Sequence, residues 1–399
     1  MFTNHPKSMV FLFFLILALF HQPLKANEGP VEKEWTFLLF LNGHNNLDYF
    51  SDFNVNQMEE VGSSDQVNMV VQWASLKNQD TKRLYIQKDS NLSQVTSPAV
   101  EILSPVDMGD YQQLIEFIRW GVAKYPAKKY MIAVWNHGNG WYLPRTSLGA
   151  RDISYDDLSG NHITTEQLGM AMAEAAKIIG HKVDIYGSDA CLMAMAEVAA
   201  EMKDSVSFMV GSEEVEPGYG WPYNTWMKRW VENSRASADE VAKALTEEYL
   251  KAYDGGIYGY QDVTFSTMDL SHLDTLMSSV KALNVSLTEL SANDLKTVEA
   301  AANATQSFTY DDYRDLGEFG KRVAASSVGI HAGLFTDLNQ AISQFVVLGK
   351  GTGIYKEVSG VSVWIPTSDY DLRQHQERYA KLNFNQNTQW LLFLQKLNK

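Results

Sequence analysis

Two residues of this sequence have the types and the settings that nucleophilic chemistry requires. Cys191 is the only cysteine in 399 residues, and it follows an apolar run, residues 183–186, across a short turn. His137 follows a second apolar run, residues 130–135, and is itself followed by Gly138. An imidazole can take the proton of a thiol and later protonate a leaving amine. We therefore consider His137 and Cys191 as a general base and its nucleophile.

The elements around these two residues would place them at one edge of a sheet. Each apolar run predicts a buried strand, and the apolar residues of 192–202 recur at helical spacing, which predicts a helix directly after Cys191. Ligands of open α/β sheets bind at the carboxyl ends of strands, and a helix N-terminus lowers the pKa of a thiol. If the two strands are parallel neighbours, His137 and Cys191 meet. A core histidine and a buried thiol are the alternative that the spacing leaves open.

Gly138 adds a second chemical element to this edge. A residue without a Cβ lets its backbone N–H approach a substrate closely. Together with the N–H of Cys191, the N–H of Gly138 would form an oxyanion hole.

Strands and helices alternate through the first part of the chain. The expected strands are 35–41, 67–73, 82–87, 130–135, 183–186 and 207–211, and the expected helices begin near Asp110 and at the capping pair of Thr164 and Gln167. This alternation predicts a mostly parallel sheet with helices on both faces, an α/β/α sandwich. From Ser237 the pattern is mostly helical, with strands at 263–269 and 360–366. We predict a catalytic domain over 27–235 and a mostly helical C-terminal region over 236–399 that completes the fold.

The N-terminus has the pattern of an export signal. Lys7 precedes an unbroken apolar run over residues 10–20, and Ala26 is a small residue at a plausible cleavage point. Because eleven residues are too few to span a bilayer, residues 1–26 predict a signal peptide. The mature protein is expected to be exported, to the periplasm or the medium, without stable membrane insertion.

The charge of the chain restricts its partners. The net charge is −15, and it becomes −17 when Lys7 and Lys25 leave with the signal. Such an excess of acid argues against nucleic acid or an anionic membrane surface as partner and suits a cationic substrate. A single cysteine excludes internal disulfides and cysteine-rich metal sites. No Gly-x-Ser-x-Gly or His-Glu-x-x-His motif supports a serine or zinc hydrolase. The oligomeric state is left open.

Two blocks of sequence carry a family resemblance. Residues 135–141, WNHGNGW, and 187–193, GSDACLM, resemble the paired His-Gly and Asp-Ala-Cys motifs of the clostripain family of cysteine peptidases, in the clan of caspases, legumains and gingipains. Residues 40–48, 210–223, 313–319 and 360–366 resemble further blocks of that family, so the similarity covers nearly all of the mature chain. The resemblance implies a caspase-like sandwich and an endopeptidase that cleaves after Arg or Lys.

The resemblance also implies roles for individual residues. His137 would be the general acid and base and Cys191 the nucleophile. Asp189 would be the acid of the pocket that binds the basic side chain, although an Asp that only forms the Gly-Ser-Asp turn is its alternative. Glu213 and Glu214, with Glu216 behind them, could add negative charge to that pocket or could form a solvated loop face.

The family commonly matures by cutting itself between the two motifs, as a zymogen does. Arg145 and Arg151 are the candidate cleavage sites, in the polar loop 142–161, with a solvated loop charge as the alternative for each. No cofactor is expected and no metal site is predicted. Some family members depend on calcium, and the acidic stretch 152–157 could bind an ion weakly, although a solvated loop is the simpler interpretation.

Two positions depart from the family pattern. Asn136 stands before the His-Gly pair, where family members often have Asp, and Gly43-His44 occupies a position that is often acidic. The alternative function is a non-catalytic exported protein of the same fold that recognises basic peptides. The intact pair of His137 and Cys191 counts against that alternative.

Overall fold

The computed structural model describes residues 1–3, 30–142, 152–366 and 368–398. The predicted signal peptide lies almost entirely outside the described residues. In chain order the strands are β1 (Lys33–Gly43), β2 (Val67–Ser75), β3 (Asp80–Tyr85), β4 (Ala99–Leu103), β5 (Ala127–Trp135), β6 (Val183–Asp189), β7 (Val206–Gly211), β8 (Asp254–Gly256), β9 (Gly259–Tyr260), β10 (Thr264–Asp269), β11 (Tyr313–Asp315), β12 (Val346–Gly351) and β13 (Ser362–Trp364).

The helices connect these strands and cover the sheet. They are α1 (Asp48–Glu59), α2 (Tyr111–Lys124), α3 (Thr165–Ile179), α4 (Ala196–Met202), α5 (Tyr223–Glu232), α6 (Ala238–Tyr253), α7 (Leu273–Glu289), α8 (Ala292–Ala304), α9 (Leu316–Ala325), α10 (Ala332–Phe345), α11 (Asp369–Tyr379), α12 (Asn383–Thr388) and α13 (Trp390–Leu397). The predicted capping pair of Thr164 and Gln167 is confirmed at the start of α3, and Ser237 pairs with Glu240 in the same way at the start of α6. At the start of α2, the side chain of Asp110 accepts from the N–H of Gln112.

The main sheet of the described chain has nine strands in the order β12-β10-β7-β6-β5-β1-β2-β3-β4. The five central strands, β7 to β2 in that order, are parallel, and the pairs at both edges are antiparallel. A short turn joins β2 to β3, so these two form a hairpin, since a parallel pair would need a long crossover. The sheet is therefore mixed at its edges and parallel at its centre.

Helices cover both faces of this sheet, as predicted for an α/β/α sandwich. β1 shows why: Phe37 and Leu39 pack into one core with Trp226 and Trp230, while Leu38 and Phe40 pack into the other. A strand that is buried on both faces reads as a continuous apolar run. The first core lies under α1, α5 and α6, and the second lies under α2 and α3 and extends into the C-terminal helices.

The C-terminal region contributes strands as well as helices. β10 and β12 extend the main sheet beyond β7. The strand predicted over 360–366 exists as β13, but it pairs with β11 in a separate two-stranded sheet. There the backbone N–H of Ser362 donates to the carbonyl oxygen of Ala194 at 3.0 Å, which attaches this small sheet to the segment after Cys191. The domain boundary near residue 236 remains a prediction.

The helix expected directly after Cys191 begins later than predicted. α4 starts at Ala196, and residues 190–195 are extended or turned. The N–H groups of Leu192 and Ala194 donate to the carbonyl oxygens of Glu214 and Ser212, at 3.1 and 2.9 Å, and Leu192 has a φ of 65°. These bonds across the chain replace the helical ones, so the first turn of a helix does not surround the thiol.

The C-terminal end of the chain forms two short helices in succession. Gln389 has a φ of 58°, which ends α12 and begins α13. None of the helices in the described ranges is both long enough and apolar enough to cross a membrane.

Candidate active site

The ends of β5 and β6 bring His137 and Cys191 to one place. The two strands are parallel neighbours, and Trp135 is in register with Asp189. Because His137 and Cys191 each lie two residues beyond this pair, both leave the sheet at the same edge. The two residues line one cavity of about 150 Å³. The adjacency of the strands was predicted from the sequence and is confirmed.

Asn136 fixes the strand end that carries His137. Its side-chain amide donates to the carbonyl oxygen of Asn42 at 2.7 Å and accepts from the N–H of Tyr155 at 2.8 Å. Its own N–H donates to the carbonyl oxygen of Asp189 at 3.2 Å. A carboxylate could accept but not donate, so the amide suits this position, where family members often have Asp. The departure therefore has a structural reason.

His137 has a partner that the sequence did not single out. Its Nε2 lies 2.7 Å from the side-chain oxygen of Asn46, in the loop between β1 and α1. An amide oxygen only accepts hydrogen bonds, so this contact puts the imidazole proton on Nε2 and leaves Nδ1 as the basic nitrogen. The sequence feature that could have indicated Asn46 is the Asn-rich loop after the first strand, which lies at the same edge of the sheet as His137.

The Cys191 thiol is partly exposed and surrounded by groups that act on its charge. Burial raises the pKa of the thiol to about 12, and the negative charge of Glu216 acts in the same direction. A hydrogen bond from the backbone N–H of Gly138 opposes this rise in pKa. The expected lowering of the pKa by a helix N-terminus is wrong, because α4 begins too late and acidic side chains lie near the sulfur.

Gly138 lies against the backbone of the cysteine. A Cβ built on Gly138 would be 2.4 Å from the carbonyl oxygen of Cys191, so only glycine allows this approach. The backbone N–H of Gly138 donates a hydrogen bond to the sulfur of Cys191. Such a donor can stabilise negative charge that develops on a substrate carbonyl next to that sulfur.

Two buried carboxyl groups form the acidic wall of the cavity. Asp189 and Glu216 both line it and are 4% and 8% exposed. Asp189 accepts from the hydroxyl of Tyr223 at 2.7 Å and from the N–H of Trp221 at 3.4 Å. Burial raises the pKa of Asp189 to about 7, and burial and the neighbouring Asp189 raise the pKa of Glu216 well above its usual range. Because two negative charges in one buried wall repel each other, the two carboxyl groups retain a proton between them when no cation is bound.

The other two predicted glutamates point away from this wall. Glu213 is fully buried against Asp315, and burial and that neighbour raise its pKa well above its usual range. Glu214 accepts from the hydroxyls of Thr309 and Tyr355, the latter at 2.5 Å, and so joins its loop to the C-terminal region. Neither residue lines the cavity. Sequence alone could not separate them from Glu216, because the turn that aims each side chain depends on pairing with residues 190–195.

Comparison with known proteins decides the family. The sequence model of the clostripain family, peptidase family C11, matches residues 39–396. This chain belongs to the clostripain family.

Individual relatives agree with this assignment. The clostripain of Hathewaya histolytica is 33% identical over 125 residues, which is 30% of this chain and 24% of that protein. The match thus spans about a quarter of the curated relative.

Two solved structures share the fold. A secreted C11 cysteine protease from Bacteroides thetaiotaomicron, solved with an irreversible peptide inhibitor, is similar with a TM-score of 0.70 and 19% identity, over 90% of this chain and 99% of that one. An inactive zymogen C11 protease from Parabacteroides distasonis has a TM-score of 0.69 and 17% identity, with the same coverage of both chains. The predicted fold class is confirmed.

The predicted cleavage sites of this clostripain-family protein, Arg145 and Arg151, lie outside the described residues. The residues on either side are firmly held. Tyr142 is buried against Trp364 and donates to Asp312 at 2.5 Å. Asp152 is buried and bound by Arg378 at 2.5 Å.

The acidic stretch 152–157 is already engaged within the protein. Asp156 accepts from His44 and from the N–H of Met108, each at 2.9 Å, and His44 does not line the cavity. Asp152 accepts from the N–H of Thr165 at 2.7 Å as well as from Arg378. Among the described residues, no group of three acidic, His or Cys side chains is arranged to hold a metal ion.

Proposed function

We propose that this protein is an exported cysteine endopeptidase that cleaves after Arg or Lys, with Cys191 as nucleophile and His137 as general acid and base. The observation that carries the proposal is the shared cavity, which a thiol, an imidazole and two buried carboxyl groups all line. Membership of the clostripain family supports the chemistry. It also favours an enzyme over a non-catalytic protein that binds basic peptides.

The steps follow from the residues around the cavity. His137 takes the proton of Cys191 as the sulfur attacks the carbonyl carbon of the basic residue. The N–H groups of Gly138 and Cys191 donate to the oxyanion that forms. His137 then gives its proton to the leaving amine as the C–N bond breaks. Finally His137 activates a water that hydrolyses the thioester, which releases the acid and restores the thiol.

The positive charge of the substrate side chain would interact with the acidic wall and so affect the reaction. A guanidinium or ammonium group that enters the cavity replaces the proton shared by Asp189 and Glu216 and pairs with both carboxylates. Charge-assisted pairs of this kind are strong when they are buried. The cation also offsets the charge of Glu216, which otherwise raises the pKa of the Cys191 thiol. A basic side chain therefore favours both binding and formation of the thiolate.

The test of the dyad compares the wild type with Cys191→Ala and His137→Ala on short peptides that end in Arg, Lys or Gln before a fluorophore. We expect the wild type, and neither of these variants, to release the fluorophore from the Arg and Lys peptides. Asp189→Asn, which keeps the size of the side chain, should lose the preference for Arg over Gln while it keeps the thiol reactive. An unchanged preference in Asp189→Asn would contradict the role of Asp189.

Maturation is the second part of the proposal. We propose that the protein cuts itself after Arg145 or Arg151, between the two catalytic motifs. Terminal sequencing of the purified wild type should find a new N-terminus in 146–152, and Cys191→Ala should stay uncut. Arg145→Gln with Arg151→Gln should also stay uncut. A fully active, uncut wild type would remove this part of the proposal.

Export and independence from metal remain proposals as well. Fractionation of cells that express the full chain should find the product without residues 1–26 outside the cytoplasm. We also propose that no calcium ion is required, because Asp152 and Asp156 are bound to other residues of the chain. Activity should therefore persist in EDTA, and its loss, with recovery on addition of calcium, would contradict this.

A further inference from the structure

A run of aromatic rings lies on the surface beside the catalytic cavity. We call Tyr49, Phe50, Tyr219 and Tyr258 the aromatic shelf. The ring centres of Tyr49 and Phe50 are 5.5 Å apart, and those of Phe50 and Tyr219 are 5.8 Å apart. Tyr219 stacks on Tyr258 at 5.0 Å with ring planes 8° apart. The four rings form one continuous surface.

The shelf is exposed although it is aromatic. Tyr49 is 78% exposed and Tyr219 is 44% exposed, while Phe50 and Tyr258 are half-buried. Val215, which lines the catalytic cavity, is 39% exposed. Contiguous apolar surface of this kind is a feature of interaction sites. Tyr residues are well suited to such sites, because they offer a large contact area with few rotatable bonds.

The shelf is also held in place before any ligand binds. The side-chain amide of Asn54 donates to the carbonyl oxygen of Tyr219 at 3.0 Å, and that of Gln57 donates to the hydroxyl of Tyr258 at 2.9 Å. Gly218 lies so close to Phe50 that a Cβ would be 2.7 Å from its ring. A fixed surface loses little conformational entropy when a ligand binds to it.

The shelf continues directly from the cavity. Leu47 and Gly218 line the cavity, and Tyr49 and Tyr219 follow them by two residues and by one. An extended peptide advances about 3.3 Å per residue. A peptide that places one side chain in the cavity would therefore place a second side chain on the shelf. The residue that carries this second side chain would be at most about three positions from the first along the peptide.

We propose that the aromatic shelf is a second specificity site, which binds an apolar or aromatic side chain of the peptide substrate close to the cleaved bond. The proposal rests on the proposed function only in that the ligand is a peptide whose basic residue occupies the cavity. Tyr49, with Phe53 of the same helix, also lines a larger cavity of about 750 Å³. Tyr49 thus belongs both to the shelf and to a cavity that has room for more of a bound chain.

The test uses internally quenched peptides with one Arg and with Phe or Ser placed in turn at each of three positions on either side. For the wild type, Phe should raise kcat/KM over Ser at one position by roughly tenfold or more. In Tyr49→Ser and Tyr219→Ser this ratio should fall toward one, while cleavage of the Ser peptide is retained. Because each ratio is taken within one variant, a general loss of activity does not affect it.

The control is Met170→Ser, which removes another exposed apolar side chain, on α3 and outside the cavity. It should keep the wild-type ratio. The proposed role of the shelf would be overturned if the wild type showed no preference for Phe at any position, or if the ratio were unchanged in both Tyr variants. Neither result would contradict the proposed cleavage after Arg. If no peptide is cleaved, the affinity of labelled peptides for Cys191→Ala can be measured by fluorescence anisotropy instead. Equal affinity for the Phe and Ser peptides would overturn the proposed role of the shelf.

Discussion

At the scale of single residues, the contact between His137 and Asn46 orients the imidazole. The 2.7 Å bond to the Asn46 oxygen favours a proton on Nε2 and holds the ring in one orientation. In the proposed mechanism, Nδ1 is then the nitrogen that accepts the proton of Cys191. Asn46 would thus be a positioning residue, which acts on the reaction through His137.

Removal of this contact should slow the chemical step. We expect Asn46→Ala to lower kcat by roughly a hundredfold, within the range that positioned acid–base groups contribute, with a smaller effect on KM. Asn46→Asp keeps an accepting oxygen and should restore most of kcat. The aspartate charge should also raise the pKa of His137 and move the acidic limb of the pH–rate profile to higher pH. A profile that stays in place in Asn46→Asp would argue against direct contact with the imidazole.

The charge of Glu216 gives a second prediction at this scale. Because that charge raises the pKa of the thiol, Glu216→Gln should lower the pKa and speed alkylation of Cys191 by iodoacetamide at a pH high enough to ionise Glu216 in the wild type. In the wild type, the rate of alkylation should still be rising with pH up to pH 10.

The matched control for this prediction is Glu213→Gln. It neutralises a glutamate in the same loop, but one that faces Asp315 instead of the sulfur. Alkylation in Glu213→Gln should follow the wild type. Slower alkylation in Glu216→Gln than in the wild type would show that the carboxylate does not act on the thiol.

The sequence could predict some of these residues and not others. His137, Cys191 and Gly138 follow apolar strands, so their common edge could be predicted from topology. Glu216 reaches the cavity, and Asn46 reaches His137, through loops whose path depends on distant backbone pairing. No local pattern distinguishes Glu216 from Glu213, three residues earlier.

At the scale of elements, helix α11 holds the connection between β5 and β6. Arg378 of this helix pairs with Asp152 and Glu166, each at 2.5 Å, and lies over the ring of Trp141 at 5.6 Å. Arg378 thus contacts residues on both sides of the predicted cleavage segment, because Trp141 precedes it and Asp152 follows it. The start of α3 is held by the same side chain through Glu166.

Loss of this side chain should destabilise the fold. Arg378→Ala leaves the carboxylate of Asp152 buried without its cation, a change that costs about 3–5 kcal/mol in buried pairs. Urea unfolding followed by tryptophan fluorescence measures the change. Arg373→Ala, on the same helix, breaks an exposed pair with Asp369 and should leave the midpoint unchanged. Equal midpoints for the wild type and Arg378→Ala would mean that Asp152 is adequately solvated.

Elements with strong local signals were predictable, and elements stabilised by distant pairing were not. The capping pairs that begin α3 and α6 act within four residues, so the sequence indicates them directly. β4 is a short edge strand with no buried residue, and its apolar residues are interrupted by Glu101, so it was missed. Residues 192–195 have helical spacing, but their N–H groups bond to the 212–214 segment instead.

At the scale of the whole molecule, the buried acids make folding depend on pH in an uncommon direction. Burial raises the pKa values of Asp189, Glu197 and Glu201 to about 7, and it raises those of Glu213 and Glu216 well above their usual range. Between about pH 4 and pH 7 the folded chain therefore holds protons that the unfolded chain has released. Stability must fall as the pH rises through this interval.

We therefore expect the uncut Cys191→Ala protein to be more stable at pH 5 than at pH 8, by the midpoint of urea unfolding. Glu197 allows the clearest test, since its Oε1 accepts from the N–H of Trp364 and the hydroxyl of Tyr379, as a glutamine oxygen also can. Glu197→Gln should reduce the difference between the two pH values, by about 1.4 kcal/mol for each pKa unit that is removed. A midpoint that rises from pH 5 to pH 8 would contradict the prediction.

The order of the strands has a consequence for a molecule that is cut between Tyr142 and Asp152. Strands β1 to β5 would all belong to the first fragment, and β6, β7, β10 and β12 to the second, so the sheet would divide along the seam between β5 and β6. His137 would lie on one fragment and Cys191 on the other. Neither fragment would contain a complete active site. The nicked enzyme would be a heterodimer whose catalytic unit exists only while its two chains remain associated.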